Sequence, residues 1–212
     1  MKKLDKYETE RQIIHILFGL VIVFLLYFDF LNPFSLTVIT IIAFILFYVA
    51  KKYRLIVIYE ILQRLERKED LEKFPGRGPL FYLVGATIVV ALFENDIAMA
   101  SIIILALGDS IPYLVGNQFK LIRSPFNDSK YLEGSFAGWL AAFIGAFFVL
   151  WISGINMSIG FILLQAFFAS LIAMIAEGID IKIKLNKIDD NIIIPVVASC
   201  VMWVIRFLAR LV

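Results

Sequence analysis

Apolar residues run through this chain in long blocks, with the polar ones gathered between them. A helix needs about 20 mostly apolar residues to cross a hydrocarbon core of about 30 Å. Seven blocks meet or approach that length: residues 13–30, 34–50, 78–94, 97–118, 134–153, 157–178 and 192–211. The third is short, and the fourth carries polar residues within it. Three connections are short: Asp29 to Pro33, Glu94 to Asp96, and Ser153 to Asn156. The others are long and charged. The pattern predicts an all-α, polytopic membrane protein, with one integral membrane domain over residues 1–212.

Lys and Arg set the expected orientation, because cytoplasmic loops collect them. One side of the predicted bundle holds Lys2, Lys3, Lys6 and Arg11, then eight more between Lys51 and Arg77. It also holds Lys120, Arg123, Lys130, Lys182, Lys184 and Lys187. The three short connections hold none, and only Arg206 and Arg210 fall on the far side. The N-terminus is therefore expected in the cytoplasm and the C-terminus outside, in a cell membrane or, in a eukaryote, the endoplasmic reticulum. The polar start MKKLDKYETERQ leads into an apolar stretch with no small-residue cleavage site, so the first helix is read as retained. Residues 53–68 have another character. Ile58, Ile61, Leu62 and Leu65 recur at helical spacing among Arg54, Glu60, Arg64, Arg67 and Lys68. That pattern predicts an amphipathic helix in the inner interface, the other reading being a plain extension of the second helix.

Composition agrees with the pattern. Of the 212 residues 61% are hydrophobic, well above the 45–50% or so of soluble domains. Net charge is only +2, and a lone cysteine, Cys200, excludes an intrachain disulfide and a cysteine metal site. A single histidine excludes a multi-histidine metal site. The basic residues read as topology, so no nucleic-acid partner is expected.

Ionisable residues inside membrane helices are costly and mark functional sites. Asp109 lies thirteen residues beyond Asp96, about 20 Å along a helix, and so about 10 Å short of the inner boundary. Gly108, Pro112 and Gly116 surround it, which predicts a broken helix lining protein or a wet cavity. Three more clusters share its side. On a continuous helix Glu8, Arg11 and His15 fall on one face. Lys130, Glu133, Gly134 and Ser135 stand at the start of the fifth helix, where backbone N–H groups and a cation suit a phosphate. Glu177, Asp180, Asp189, Asp190 and Asn191 bracket the last inner loop. Carboxylates with interspersed cations at one face suit a Mg²⁺–polyphosphate site. No Walker-type glycine loop, kinase catalytic loop or zinc-protease motif is present in the sequence.

The order of these pieces resembles the CTP-dependent lipid-alcohol kinases: dolichol kinase, phytol kinase and the fungal type of diacylglycerol kinase. Glu8, Arg11 and His15 match that family's E-x-x-R-K-x-x-H, with Gln12 in place of the Lys. Gly108, Asp109 and Gly116 are similar to G-D-x-x-A-x-x-x-G, with Pro112 in the Ala position. Lys130, Glu133 and Gly134 match K-x-x-E-G, and Glu177 precedes Asp190, Asn191 and Pro195 as in D-N-x-x-x-P. The run Gly76-Arg77-Gly78-Pro79-Leu80-Phe81 gives further support.

The resemblance implies transfer of the γ-phosphoryl of CTP to the hydroxyl of a long-chain lipid alcohol, at a site facing the cytoplasm, with Mg²⁺. It implies that Asp109, Glu133, Glu177 and Asp190 hold the metal or orient the hydroxyl. Arg11, Lys130 and Arg123 would grip phosphates, with Gly134 at the phosphate-binding helix start. Asn191 would bond nucleotide or a metal-bound water, and His15 would accept a proton. Two other readings stay open on the residues alone. One is a cytidylyltransferase that makes a CDP-lipid; the other is a small transporter with Asp109 on an ion path.

Overall fold

The computed structural model describes residues 6–53, 60, 62, 66, 71, 74–119, 121–123, 131–153, 157–178, 182–183, 186–187 and 189–210. Among the described residues it is all-α, with seven helices: α1 (Lys6–Tyr27), α2 (Pro33–Tyr53), α3 (Arg77–Leu92), α4 (Asn95–Phe119), α5 (Leu132–Ile152), α6 (Ile159–Gly178) and α7 (Asp190–Ala209). Six are long and apolar enough to cross a membrane. The exception is α3, whose 16 residues reach only about 24 Å. Most of the predicted amphipathic segment 53–68 lies outside the described residues.

Two features depart from the sequence pattern. The last long connection holds a two-residue antiparallel pair, β1 (Lys182–Ile183) with β2 (Asn186–Lys187), where no strand was expected. The larger departure is α4. It runs unbroken from Asn95 to Phe119 with Pro112 inside it, where a break was expected. Proline removes one donor and leaves the carbonyl four residues earlier without its helical partner. Here that carbonyl belongs to Gly108 and is covered by α5: a Cβ at Gly138 would stand 3.0 Å from the Gly108 oxygen. Neighbouring helices are what let membrane helices carry proline.

This contact is part of a continuous seam. Gly108, Pro112 and Gly116, four apart on α4, face Gly134, Gly138 and Ala142 on α5. A Cβ at Gly134 would come 2.5 Å from the Pro112 oxygen and 3.0 Å from the Gly116 Cα. At Gly145 it would strike Leu107 at 2.6 Å. Small residues let helix backbones approach closely where lipid gives no hydrophobic drive to association. α4 is the hub of the bundle, packed on α1, α3, α5, α6 and α7. α1 leans mainly on α4, and α2 on α3 through the paired hydroxyls of Thr40 and Thr87 at 2.8 Å.

The end of the bundle holding the C-terminus of α7 is closed by ions. Arg206, only 4% exposed, donates Nε to Gln165 at 2.7 Å and its two terminal nitrogens to Asp96, and it also pairs with Glu94. Arg210 adds a bond to Glu94 at 3.0 Å. The two arginines on the far side are thus matched by two carboxylates. Burial works against ionising Glu94, but the arginine hydrogen bonds outweigh it and its pKa falls below the ordinary value.

Arg206→Ala leaves Asp96 buried without its cation and should cost about 3–5 kcal/mol, read as a lower melting temperature in detergent. The depressed pKa of Glu94 has a set sign. Its contribution is complete above the unfolded-state pKa and disappears as pH falls through the folded value. Acid should therefore narrow the gap between wild type and Arg206→Ala.

Candidate active site

The opposite end of the bundle gathers the N-termini of α1, α3 and α7 around an open cleft of about 120 Å³. Arg11, Ile14, His15 and Phe18 of α1 form one wall, and Gly78, Pro79 and Tyr82 of α3 face them. Asn191 of α7 closes it. Along α1 the cleft runs from Arg11 to Phe18, seven residues or about 10 Å, from a cationic mouth to an apolar floor.

Each wall is held by local chemistry. Because α1 is helical from Lys6, Glu8, Arg11 and His15 share a face, and Arg11 donates to Glu8 at 2.6 Å. His15 Nε2 stands 3.7 Å from an Asp109 carboxylate oxygen. The His15 and Tyr82 rings meet nearly edge to face, with centroids 4.7 Å apart. Tyr82 is 2% exposed, and Gly19 makes room for it: a Cβ there would collide with the Tyr82 hydroxyl and lie 2.6 Å from Ala106.

The start of α3 is set by Gly76, whose φ of 88° lies in the left-handed region that favours glycine. The Glu66 carboxylate accepts from the backbone N–H groups of Gly76 and Gly78, both at 2.7 Å. At α7, Asp189 is the N-cap and accepts from the Asn191 N–H at 3.2 Å and its Nδ2 at 2.8 Å. Its other oxygen is 3.9 Å from Arg77 Nε. Burial raises the Asp189 pKa against the pull of the Asn191 hydrogen bonds.

The decisive feature is what these residues leave open. Arg11 Nε, His15 Nε2, Tyr82 Oη and Asn191 Oδ1 are all buried and have no hydrogen-bond partner. Buried polar atoms are nearly always satisfied, so four such atoms on one cleft mark a place for a polar ligand. The set comprises a cation, an imidazole beside a carboxylate, a phenolic hydroxyl and an amide acceptor. It can bind an anion and take up a proton next to it.

The structure brings Arg11, His15, Asp109 and Asn191 together and places the other candidates elsewhere. Glu133 accepts from the N–H groups of Leu121 at 2.5 Å and Ile122 at 3.3 Å, fastening the connection between α4 and α5. Gly134 lies in the α4–α5 seam, which gives it a packing role. Arg123 is exposed, its backbone bridges Tyr131, and it does not line the cleft. Glu177 is 4% exposed and follows Met174, which packs on Gly108, by one turn of α6. Asp190 opens α7 beside Asp189. Lys130 and Asp180 lie outside the described residues.

Among the described residues no three His, Cys, Asp or Glu side chains converge as a metal site. Asp109, Glu133, Glu177 and Asp190 therefore do not form one ligand set, since Glu133 is committed to backbone donors and Asp109 stands with His15. A lone carboxylate still fits Mg²⁺, which is commonly held by one or two carboxylates with substrate phosphates and water. Among the candidate carboxylates Asp109, a quarter exposed, is the one beside His15 of the cleft. Tyr82 and Asp189 escape the motifs. A tyrosine in the apolar run of α3 was the only signal for the first.

No known family profile matches the chain, and no solved structure matches it. Sequences do. An uncharacterised protein of Methanocaldococcus jannaschii is 28% identical over 197 residues, 92% of each chain. Phytol kinase 1 of Arabidopsis thaliana is 30% identical over 139 residues, 61% of this chain and 42% of that one. CTP-dependent diacylglycerol kinase 1 of Schizosaccharomyces pombe is 28% identical over 146 residues, 64% of this chain and 63% of the yeast protein. This chain is a distant homologue of the CTP-dependent lipid kinases. It spans less than half of the plant kinases it matches and under two thirds of the yeast kinase. The relationship was legible in the motifs, and the cleft takes Arg11 and His15 from one and Asn191 from another, with the Asp of a third beside His15.

Tyr82→Phe removes a buried hydroxyl that no protein group satisfies. It should leave the ligand-free melting temperature unchanged or raise it, by up to about 1 kcal/mol of stability. Gly19→Val, which drives carbon atoms onto that hydroxyl and Ala106, should cost about 1–3 kcal/mol in the same assay.

Proposed function

We propose that the protein is a membrane-embedded kinase that transfers the γ-phosphoryl of CTP to the hydroxyl of a long-chain lipid alcohol of the polyprenol, geranylgeraniol or phytol class. One observation carries the reading: four residues that line a single cleft beside Asp109 each hold a buried polar atom with no partner, in a homologue of CTP-dependent lipid kinases. The shape of the cleft suits such a pair of substrates. Arg11 at the mouth meets phosphate charge, and Ile14 and Phe18 deeper in suit the first carbons of an apolar chain.

In the reaction, Asp109 draws the proton from the acceptor hydroxyl, with His15 beside it to relay or share that proton. The hydroxyl oxygen bonds to the γ-phosphorus as the bond from the γ-phosphorus to the bridging oxygen breaks, and CDP leaves. Arg11 faces the charge that grows on the transferred oxygens. Mg²⁺, held by the substrate phosphates and water, would supply charge neutralisation on the phosphates, which leaves the Asp109 carboxylate to act as base. The clustering of Lys and Arg at this end supports a cytoplasmic orientation for the site.

Purified protein supplied with Mg²⁺, γ-labelled CTP or ATP, and a panel of lipid alcohols should yield labelled lipid monophosphate and CDP. Release of pyrophosphate with CMP left on the lipid would make it a cytidylyltransferase instead. Substrate uptake into liposomes without nucleotide turnover would make it a transporter. Asp109→Asn should cut kcat by about 10²–10⁴-fold, the range for losing a general base, while the melting temperature holds. Wild-type turnover in that variant would remove Asp109 from the mechanism.

A further inference from the structure

We infer that Asp189 is a positioning residue: it locks the Asn191 carboxamide so that the amide oxygen serves the substrate as a hydrogen-bond acceptor. The inference rests on the kinase reading above and adds to it a residue and a polarity.

The orientation of an asparagine amide follows from its partners, because its oxygen accepts and its nitrogen donates. An ionised carboxylate only accepts. Asp189 Oδ1 lies 2.8 Å from the Asn191 side-chain nitrogen, so that end must be Nδ2. The oxygen is thereby turned away from Asp189. It is buried, it has no partner, and its residue lines the cleft.

The frame that holds this arrangement is rigid on both sides. Asp189 also takes the backbone N–H of Asn191 at 3.2 Å and faces Arg77 Nε at 3.9 Å, which ties the start of α7 to the start of α3. Further along, a Cβ at Gly85 would overlap the Asn191 backbone carbonyl, so α3 and α7 touch backbone to backbone there. Asn191 therefore has little freedom to turn except by rotation of its own amide, and Asp189 removes that freedom.

The consequence is chemical. Arg11 offers a donor to the cleft, and Tyr82 adds a hydroxyl that is buried, unpartnered and only 2% exposed. Asn191 Oδ1 is an obligate acceptor among them. It can satisfy only a ligand group with an O–H or N–H. The acceptor alcohol has such a group in its hydroxyl, and the nucleotide has them in its ribose hydroxyls and its base amine.

Asp189→Gly tests this, because one Asp189 oxygen accepts both from the Asn191 backbone N–H and from its Nδ2. Glycine is tolerated at an N-cap, so α7 keeps its start. With no side chain at 189 nothing holds Nδ2, and the Asn191 amide is free to turn and present nitrogen to the substrate. The apparent KM of one substrate should rise about five- to tenfold with little change in kcat, the effect of losing one hydrogen bond. Asn191→Ala should raise the same KM. In the Asn191→Ala background, Asp189→Gly should then add nothing.

A rise for the lipid alcohol alone assigns the donor to the acceptor hydroxyl, and a rise for CTP alone assigns it to the nucleotide. Unchanged KM values for both substrates in Asp189→Gly overturn the inference. So does a KM shift that persists undiminished in the Asn191→Ala background, or a lowered melting temperature with unchanged KM values. Wild-type protein that neither turns over nor is thermally stabilised by CTP–Mg²⁺ or the alcohol defeats the kinase reading itself, and this inference with it.

Discussion

The close approach of α4 and α5 is the constraint on which the rest of the bundle depends. Gly134 and Gly138 meet Pro112, Gly116 and the Gly108 carbonyl with no space for a side chain, so the two backbones are nearly in contact. Water cannot satisfy a carbonyl at this depth, and a proline in α4 is tolerable only because α5 covers what it exposes. Fixing that face of α4 fixes all the others. Asp109 follows Gly108 by one residue, about 100° around the helix, and so looks away from α5 toward His15 on α1. Ala106, one turn back, meets the Gly19 region of α1 beside Tyr82.

The glycines and the carboxylates of the motifs therefore do separate work. Gly108 and Gly134 allow the packing that holds Asp109 at its depth, and Glu133 pins the loop that joins the two helices. Only part of each motif reaches the cleft. Arg11 and His15 come from one and Asn191 from another, while Asp109 of a third stands beside the cleft, 3.7 Å from His15. The polar site lies where three helix starts converge, and each of those starts has its own restraint. Arg11 is held by Glu8, the first turn of α3 by Glu66, and the first turn of α7 by Asp189.

Much of this architecture could be read in the chain before any coordinates. Apolar block lengths in lipid translate almost directly into helices, because a continuous apolar run of about 20 residues can satisfy its own backbone there only as a helix. The blocks at 34–50 and 157–178 correspond to α2 and α6 within a few residues. The unbroken course of α4 was not legible, since whether Pro112 breaks a helix depends on a partner helix and not on its neighbours in sequence. Tyr82 was hidden for a related reason. Its value comes from Gly19 and His15, sixty residues and more away, and local sequence carries no trace of them. Glu133 misled in the opposite direction. A carboxylate beside a helix start suits a metal and a loop clamp equally well, and only the positions of Leu121 and Ile122 decide.

The ion cluster at the other end of the bundle says something about how the chain is assembled. Arg206 and Asp96 are 110 residues apart, and the arginine belongs to the last helix. At about 5–20 residues per second of synthesis, roughly 5–20 seconds separate the appearance of the carboxylates from that of their cation. Through that interval Glu94 and Asp96 must stay in contact with water or headgroups, and the N-terminal end of α4 cannot settle to its final depth. Assembly of this end of the bundle thus waits for α7, whose arrival neutralises the hub helix and lets it sink into place.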